Sequence, residues 1–260
     1  MINLEELALS LAIIQTDSNY IDGVQLQEKI LRYMPRLNKF HFNIETTIIK
    51  SKSDLVLSSN DDIQRSFIGG PFGSVGSHVD VFAKANGNRA HAYSLSHEFY
   101  SRCHIYSLPY RFTGFPFLSN SFENGTFERV RSLGVADIRP FEHEFFRIIS
   151  QSFPVLRSLH IFNDMPQRTK QPATTVIKFA QLRYLNLRLA HADYATQFLM
   201  AEHCQVTRLK EVKISLLTLL SVTNNFTNDA TRLTCSQLKS LRMRESFVRP
   251  EHFHHYFSSL

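Results

Sequence analysis

One apolar pattern, Leu-x-x-Leu-x-Leu, recurs along this chain and constrains its fold more than any other feature. Its clearest copies begin at Val130, Leu156, Leu182, Leu209 and Leu238, which are 26, 26, 27 and 29 residues apart. Further copies begin at Leu4 and Leu37, at longer intervals, and weaker copies begin at Gly76 and Cys103. Nearly constant intervals of this size indicate repeated structural units, each with one strand and one return segment.

The last residues of each copy alternate between apolar and polar, as in a strand with one buried face. A single strand of this kind cannot bury that face alone, so neighbouring units must stack. We therefore predict an α/β leucine-rich-repeat solenoid, or horseshoe. Its concave face would carry a parallel sheet, and its convex face would carry helices or irregular returns. In this prediction residues 1–260 form a single array. Residues 1–102 are irregular repeats with longer insertions, and residues 103–260 are regular repeats of 26–29 residues.

Four return segments, 22–34, 139–153, 191–203 and 249–257, have the features of helices. In 139–153, Pro140 and two glutamates precede apolar residues at helical spacing. In 191–203, apolar residues share one helical face, and His191 or Asp193 can cap the first turn. The segment 22–34 also has helical spacing. These helices would return the chain from the end of one strand to the start of the next.

Charge, cysteine content and hydropathy argue against several classes of protein. The net charge is +6, but the basic residues are spread along the chain, so a nucleic-acid partner is not favoured. The three cysteines show no C-x-x-C spacing, which argues against a disulfide scaffold and a zinc ribbon. No basic secretory n-region is visible, and no apolar run reaches about 18–20 residues. We expect a cytoplasmic or nuclear protein that does not bind a membrane.

No group of side chains meets the requirements of catalysis or metal binding. His252, His254 and His255 are close in sequence, but these positions on one helix do not converge on an ion. The Gly-rich segment 69–76 lacks the lysine of a phosphate-binding loop. His191 and Asp193 have no nucleophile in a recognisable setting. We therefore predict a non-enzyme without cofactor or metal.

Whole blocks of the chain resemble the repeat region of F-box proteins with leucine-rich repeats. The similarity is carried by segments such as IDGVQLQEKILRYMPRLNKFHFNI, VRSLGVADIRPFEHEFFRIISQSFPVL and VTNNFTNDATRLTCSQLKSLRM. In that family the F-box binds a Skp-type adaptor of a cullin–RING ubiquitin ligase, and the repeats present the substrate. The resemblance implies a substrate-recognition module for an unknown protein.

The chain departs from this family in one respect, because no F-box is visible in it. Adaptor binding is therefore expected only if an F-box precedes these residues, and both ends of the chain read as truncated. A free-standing repeat scaffold without a ligase role is the alternative.

We expect the partner on the sheet, because repeat arrays bind ligands on their concave face. The residues between the template leucines bring basic and aromatic side chains together across the C-terminal strands, against one acid, Glu211. The predicted partner-binding residues are Phe162, Tyr184, Asn186, Arg188, Lys213, Arg242 and Arg244. The basic residues favour an acidic or phosphorylated segment. A solvated face without a partner, or a basic face that binds nucleic acid, stays open as an alternative.

Overall fold

The structure, a computed structural model, describes residues 3–50, 56–83, 99–169, 175–244, 247–250 and 253–260. Within these ranges the chain divides into two units, one ending at Phe112 and the other beginning at Thr113. Each unit has its own main sheet. No helix in the described ranges combines the length and the apolar character needed to cross a bilayer.

The first unit is built on a mixed four-stranded sheet. Its elements are β1 (Glu6–Thr16), α1 (Gly23–Lys29), a 3₁₀ helix (Leu31–Tyr33), β2 (Lys39–Lys50), α2 (Asn60–Arg65), β3 (Val75–Ala83) and β4 (Phe99–Ser107). The strand order is β1-β2-β4-β3. β1 lies parallel to β2, whereas β4 runs antiparallel to both β2 and β3.

One face of this sheet carries the core of the first unit. Phe42, Ile44 and Ile48 are completely buried on it. The ring of Phe67 stacks on Phe42 with centroids 5.8 Å apart, and Phe72 meets Phe67 edge-on at 5.1 Å. Aromatic packing of this kind explains part of the high phenylalanine content of the chain, 22 residues.

The second unit contains a six-stranded parallel sheet and a small two-stranded one. Its elements are β5 (Gly114–Leu118), β6 (Ser132–Ala136), α3 (His143–Ser152), β7 (Ser158–Asn163), β8 (Ile177–Lys178), β9 (Tyr184–Ala190), α4 (Ala192–Leu199), β10 (Cys204–Gln205), β11 (Glu211–Lys213), α5 (Leu216–Val222), α6 (Asp229–Ser236), β12 (Ser240–Arg242) and α7 (Phe253–Tyr256). The large sheet has the order β12-β11-β9-β7-β6-β5, and β10 pairs with β8.

The apolar pattern sets the strand register in this larger sheet. Leu133, Leu159, Leu185 and Val212 occupy one row across β6, β7, β9 and β11. All four side chains are 0% exposed. These residues hold the same template position in successive copies, so each strand contributes an equivalent side chain to one continuous core.

Helices α3 and α4 contribute large aromatic side chains to the core of the second unit. Phe146 of α3 and Phe198 of α4 meet edge-on with centroids 5.1 Å apart. His191 caps α4, because its Nδ1 accepts the backbone N–H of Asp193 at 3.2 Å. The helices predicted in 139–153 and 191–203 are therefore present, with shorter bounds.

The prediction of one leucine-rich-repeat solenoid is wrong. The chain forms an α/β structure with two main sheets, and the sheet of the first unit is mixed rather than parallel. The looser template copies at Gly76 and Cys103 fall on strands that run antiparallel to their neighbours. Leu108, the last template position of the copy at Cys103, is 40% exposed. The alternation of apolar and polar residues shows which face of the sheet each residue occupies. The alternation is the same in a parallel and an antiparallel strand, so it does not reveal the strand direction.

Candidate partner-binding surface

The six-stranded sheet has one covered face and one face that projects away from the core. Along β7, Leu159 and Ile161 are buried, whereas His160 and Phe162 are partly exposed. We call this second side the open face. Its side chains are Phe117, Ser132, Ser158, His160, Phe162, Tyr184, Asn186, Glu211, Lys213, Ser240 and Arg242. Gly134, which has no side chain, pairs with His160 on this face.

Four rings form a continuous strip on the open face, which we call the aromatic row: Phe117, Phe162, His160 and Tyr184. The rings of Phe117 and Phe162 meet edge-on at 5.6 Å, and those of Phe162 and His160 lie nearly parallel at 6.4 Å. The ring of His160 contacts Tyr184 at 5.2 Å. The row thus runs from β5 to β9 and offers a partner a strip of mutually supported rings.

Gly134 of β6 makes this row possible, because Phe117 reaches Phe162 across it. A Cβ atom on Gly134 would lie 2.2 Å from the carbonyl oxygen of Pro116 and 3.1 Å from the ring of Phe117. A larger residue would therefore push β5 away. Phe117 was not among the partner-binding residues predicted from the sequence. A glycine at an outward position of a strand, which marks a close approach, could have indicated it.

The C-terminal end of the open face is charged. Arg242 and Glu211 form an ion pair across neighbouring strands, with Nε 2.6 Å from Oε1, and the Arg242 side chain is still 65% exposed. Lys213 lies beside Arg242 in the strand register. Arg244 follows the end of β12 and is exposed. One of the predicted partner-binding cations is thus already paired with a carboxylate, but through only one of its three nitrogens.

The alternation that the sequence predicts for β9 breaks down directly after Arg188. The pairing of β7 with β9 shifts after His160, so that Phe162 lies opposite Leu189. The backbone N–H of Arg188 donates to Asn186 Oδ1 at 3.2 Å within this irregular stretch. Strict alternation would have turned Leu189 toward the core, and the bulge changes the orientation of the strand locally.

Burial favours the neutral forms of His160 and Tyr184, the two polar members of the aromatic row. It lowers the pKa of His160, with a smaller contribution from the positive charge of Lys213. Burial also raises the pKa of Tyr184. The charge of Glu211 acts in the same direction, and nearby arginines, Arg188 among them, act in the opposite direction. The open face therefore presents uncharged rings beside cations near neutral pH.

The sheet of the first unit carries its own cluster of polar side chains. None of these residues was among the predicted partner-binding residues. We call Asn43, Glu45, Arg102 and His104 the polar layer; they lie on the sheet face opposite the core. Arg102 Nε and Glu45 Oε1 are 2.9 Å apart, with the two side chains only 11% and 10% exposed. His104 Nε2 lies 2.5 Å from Asn43 Oδ1.

Burial governs the protonation of this layer as well. It lowers the pKa of His104 well below its usual range. It raises the pKa of Glu45, although the positive charge of Arg102 opposes the shift. On the other face of the same strand, burial raises the pKa of the Cys103 thiol, so this cysteine stays protonated. Polar residues at every second position of β4 were the available sequence signal.

Two other sequence features were considered as possible sites, the histidines near the C-terminus and the Gly-rich segment 69–76. His254 and His255 are exposed on α7, while His252 lies outside the described residues. In the described ranges no three His, Cys, Asp or Glu side chains are placed to share a metal ion. The Gly-rich segment is a turn before β3, in which Gly69 and Gly73 have φ values of 78° and 67°.

Comparison with known proteins adds no family assignment. No family model, no curated protein and no solved structure matches this chain.

Proposed function

We propose that this chain is a non-catalytic protein-binding module, and that its open face captures a segment of a partner protein. The observation that carries the proposal is the aromatic row, which ends at Tyr184 beside Glu211, Lys213 and Arg242. Aromatic residues and arginine are the side chains most enriched in the energetic centres of protein interfaces. A row of rings held by mutual contact also loses little side-chain entropy on binding.

The cations beside the row favour an acidic or phosphorylated segment. Arg188, Lys213 and Arg244 have no carboxylate within salt-bridge distance in the described part of the chain. The guanidinium of Arg242 contacts Glu211 through Nε, so its terminal nitrogens are oriented by that contact. Arginine binds carboxylate and phosphate in a bidentate manner, which adds geometric selection to the charge.

The sequence resemblance extends this proposal to a cellular role. In that role the captured protein is a substrate presented to a cullin–RING ubiquitin ligase, in the cytoplasm or the nucleus. A Skp-type adaptor would join the complex only through an F-box in the complete gene product. Co-purification of the adaptor with the complete gene product tests this extension separately from partner capture.

The experiment compares two triple variants in affinity capture with quantitative mass spectrometry. Arg188→Ser, Arg242→Ser and Arg244→Ser together should abolish partner capture, because each well-buried arginine contact contributes about 2 kcal/mol or more. The melting temperature should stay nearly unchanged, since these side chains lie outside the core. The control variant changes Lys29, Arg32 and Arg36 to Ser; these residues are exposed in the first unit.

Two outcomes would contradict the proposal. The first is full capture by the folded variant in which Arg188, Arg242 and Arg244 are changed to Ser. The second is equal loss of capture in the control, which would indicate an unspecific charge effect. A partner that proves to be nucleic acid, with steeply salt-dependent binding, would favour the alternative of a basic nucleic-acid interface.

A further inference from the structure

A second basic feature lies at the amino ends of the strands, outside the open face. The residue directly before each of five neighbouring strands is basic, and we call these residues the basic ladder: Arg131, Arg157, Arg183, Lys210 and Lys239. From Arg157 onward, each member donates its backbone N–H to the carbonyl oxygen of the preceding member at 2.8 Å. The backbone therefore fixes the five residues in one row across β6, β7, β9, β11 and β12.

All five residues of the ladder are exposed. None of them forms an ion pair with a carboxylate in the described ranges. The three residues before each member add Arg129 and Arg208 and only one acid, Glu128. Five like charges held on adjacent strands repel one another, so a ligand that neutralises them is favoured.

The geometry of the ladder specifies a linear anion. Adjacent strands are about 4.8 Å apart, so four such spacings extend over about 19 Å. An extended polypeptide covers this distance with about six residues. A segment of acidic residues running across the strands would place carboxylates along the whole ladder.

We propose that the basic ladder binds an acidic, extended segment of a protein partner. The proposal deepens the proposed function and rests on it, because it assigns the ladder to the partner that the open face captures. Single-stranded nucleic acid fits less well, because its bases need aromatic side chains next to the phosphate contacts. The residues that follow the ladder members are Ser132, Ser158, Tyr184, Glu211 and Ser240, which provide one ring and one repelling carboxylate.

The test measures fluorescence anisotropy of labelled probes with the full chain. The probes are a deca-glutamate peptide, a deca-glutamine peptide and a single-stranded RNA of ten nucleotides. The ladder variant carries Arg157→Gln, Arg183→Gln and Lys210→Gln. The control variant carries Lys29→Gln, Arg32→Gln and Arg36→Gln, with the same change in net charge and with residues that are also exposed.

We expect the glutamate peptide to bind and the glutamine peptide not to bind. The ladder variant should bind the glutamate peptide about tenfold more weakly, because three exposed ion pairs of modest strength are lost together. The control variant should stay within about twofold of the parent chain. Raising the salt concentration should weaken the binding, since exposed charges are screened.

Equal weakening of the ladder and control variants would overturn the proposal, as would tighter, ladder-dependent binding of the RNA. The Arg188, Arg242 and Arg244 to Ser variant separates this inference from the proposed function. If that variant loses the natural partner while the ladder variant retains both the partner and the glutamate peptide, only the ladder proposal fails. If the open face proves irrelevant to capture while the ladder still binds the peptide, the proposed function fails alone.

Discussion

Replacing Leu185 with alanine tests the strand register on which every site in the second unit depends. Leu185 is 0% exposed, and the side chains beside it on the neighbouring strands, Leu159 and Val212, are also 0% exposed. Backbone hydrogen bonds fix these neighbours, so they cannot move far to fill the space left by three missing carbon atoms. We therefore expect the free energy of unfolding to fall by about 3–4 kcal/mol, in the middle of the range for buried leucine to alanine changes. In a chain of this size such a loss lowers the melting temperature by about 10 °C.

The matched control is Leu233→Ala on α6. Leu233 is 72% exposed, so its truncation should change the stability by less than about 0.5 kcal/mol. Thermal and urea denaturation followed by circular dichroism measure both variants against the parent chain. Similar shifts for Leu185→Ala and Leu233→Ala would refute the register and, with it, the assignment of the open face.

Three further changes test other parts of the molecule. Glu45→Ala removes the buried carboxylate that pairs with Arg102, so the free energy of unfolding measured with urea should fall by about 3–5 kcal/mol. A smaller decrease than in Leu233→Ala would contradict the buried ion pair. Gly134→Val should displace the aromatic row and lower the free energy of unfolding by about 1–3 kcal/mol. Gly114→Ala should leave the free energy of unfolding nearly unchanged in the same assay, because no atom lies within 4 Å of the new Cβ. Burial lowers the pKa of His104 below its ordinary value of 6.5, so the unfolded state takes up a proton first as the pH falls. Stability is therefore complete above about pH 6.5 and decreases on acidification by up to about 1.4 kcal/mol per pH unit. Urea midpoints between pH 7.5 and 5.5 measure this slope, and an unchanged slope in His104→Asn would rule out His104 as its source.

The sequence was sufficient for the positions of β6, β7, β9, β11 and β12 in the second unit, but no template copy indicated β5, β8 or β10. Each template copy contains its own alternation, and the next copy follows after nearly the same number of residues. Equivalent residues such as Leu133 and Leu159 therefore pair in register. The helix start at His191 could also be read locally, because capping involves side chains and backbone groups only two residues apart.

Sequence reasoning failed where the outcome depends on contacts between distant residues. Alternation does not record strand direction, so the antiparallel arrangement of β3 and β4 in the first unit was not predicted. On α6 the large apolar side chain of Leu233 is exposed, whereas Thr231 and Cys235 are buried. The spacing of apolar residues along a helix can be compatible with more than one buried face. Which face is buried depends on the elements that pack against the helix.

The sequence by itself determined the positions of β6, β7, β9, β11 and β12 and, within the regular part of these strands, which side chains share a face. That information is local, since it depends on side-chain alternation and on the length of the repeat. The tertiary structure alone decided the composition of the candidate site. It joined Phe117 to Phe162 across Gly134 and paired Arg242 with Glu211. It also placed Leu189 opposite Phe162 through a bulge and buried His104 in the first unit. Each of these outcomes depends on the distance between atoms of different strands, which is fixed only when the sheets have formed and packed.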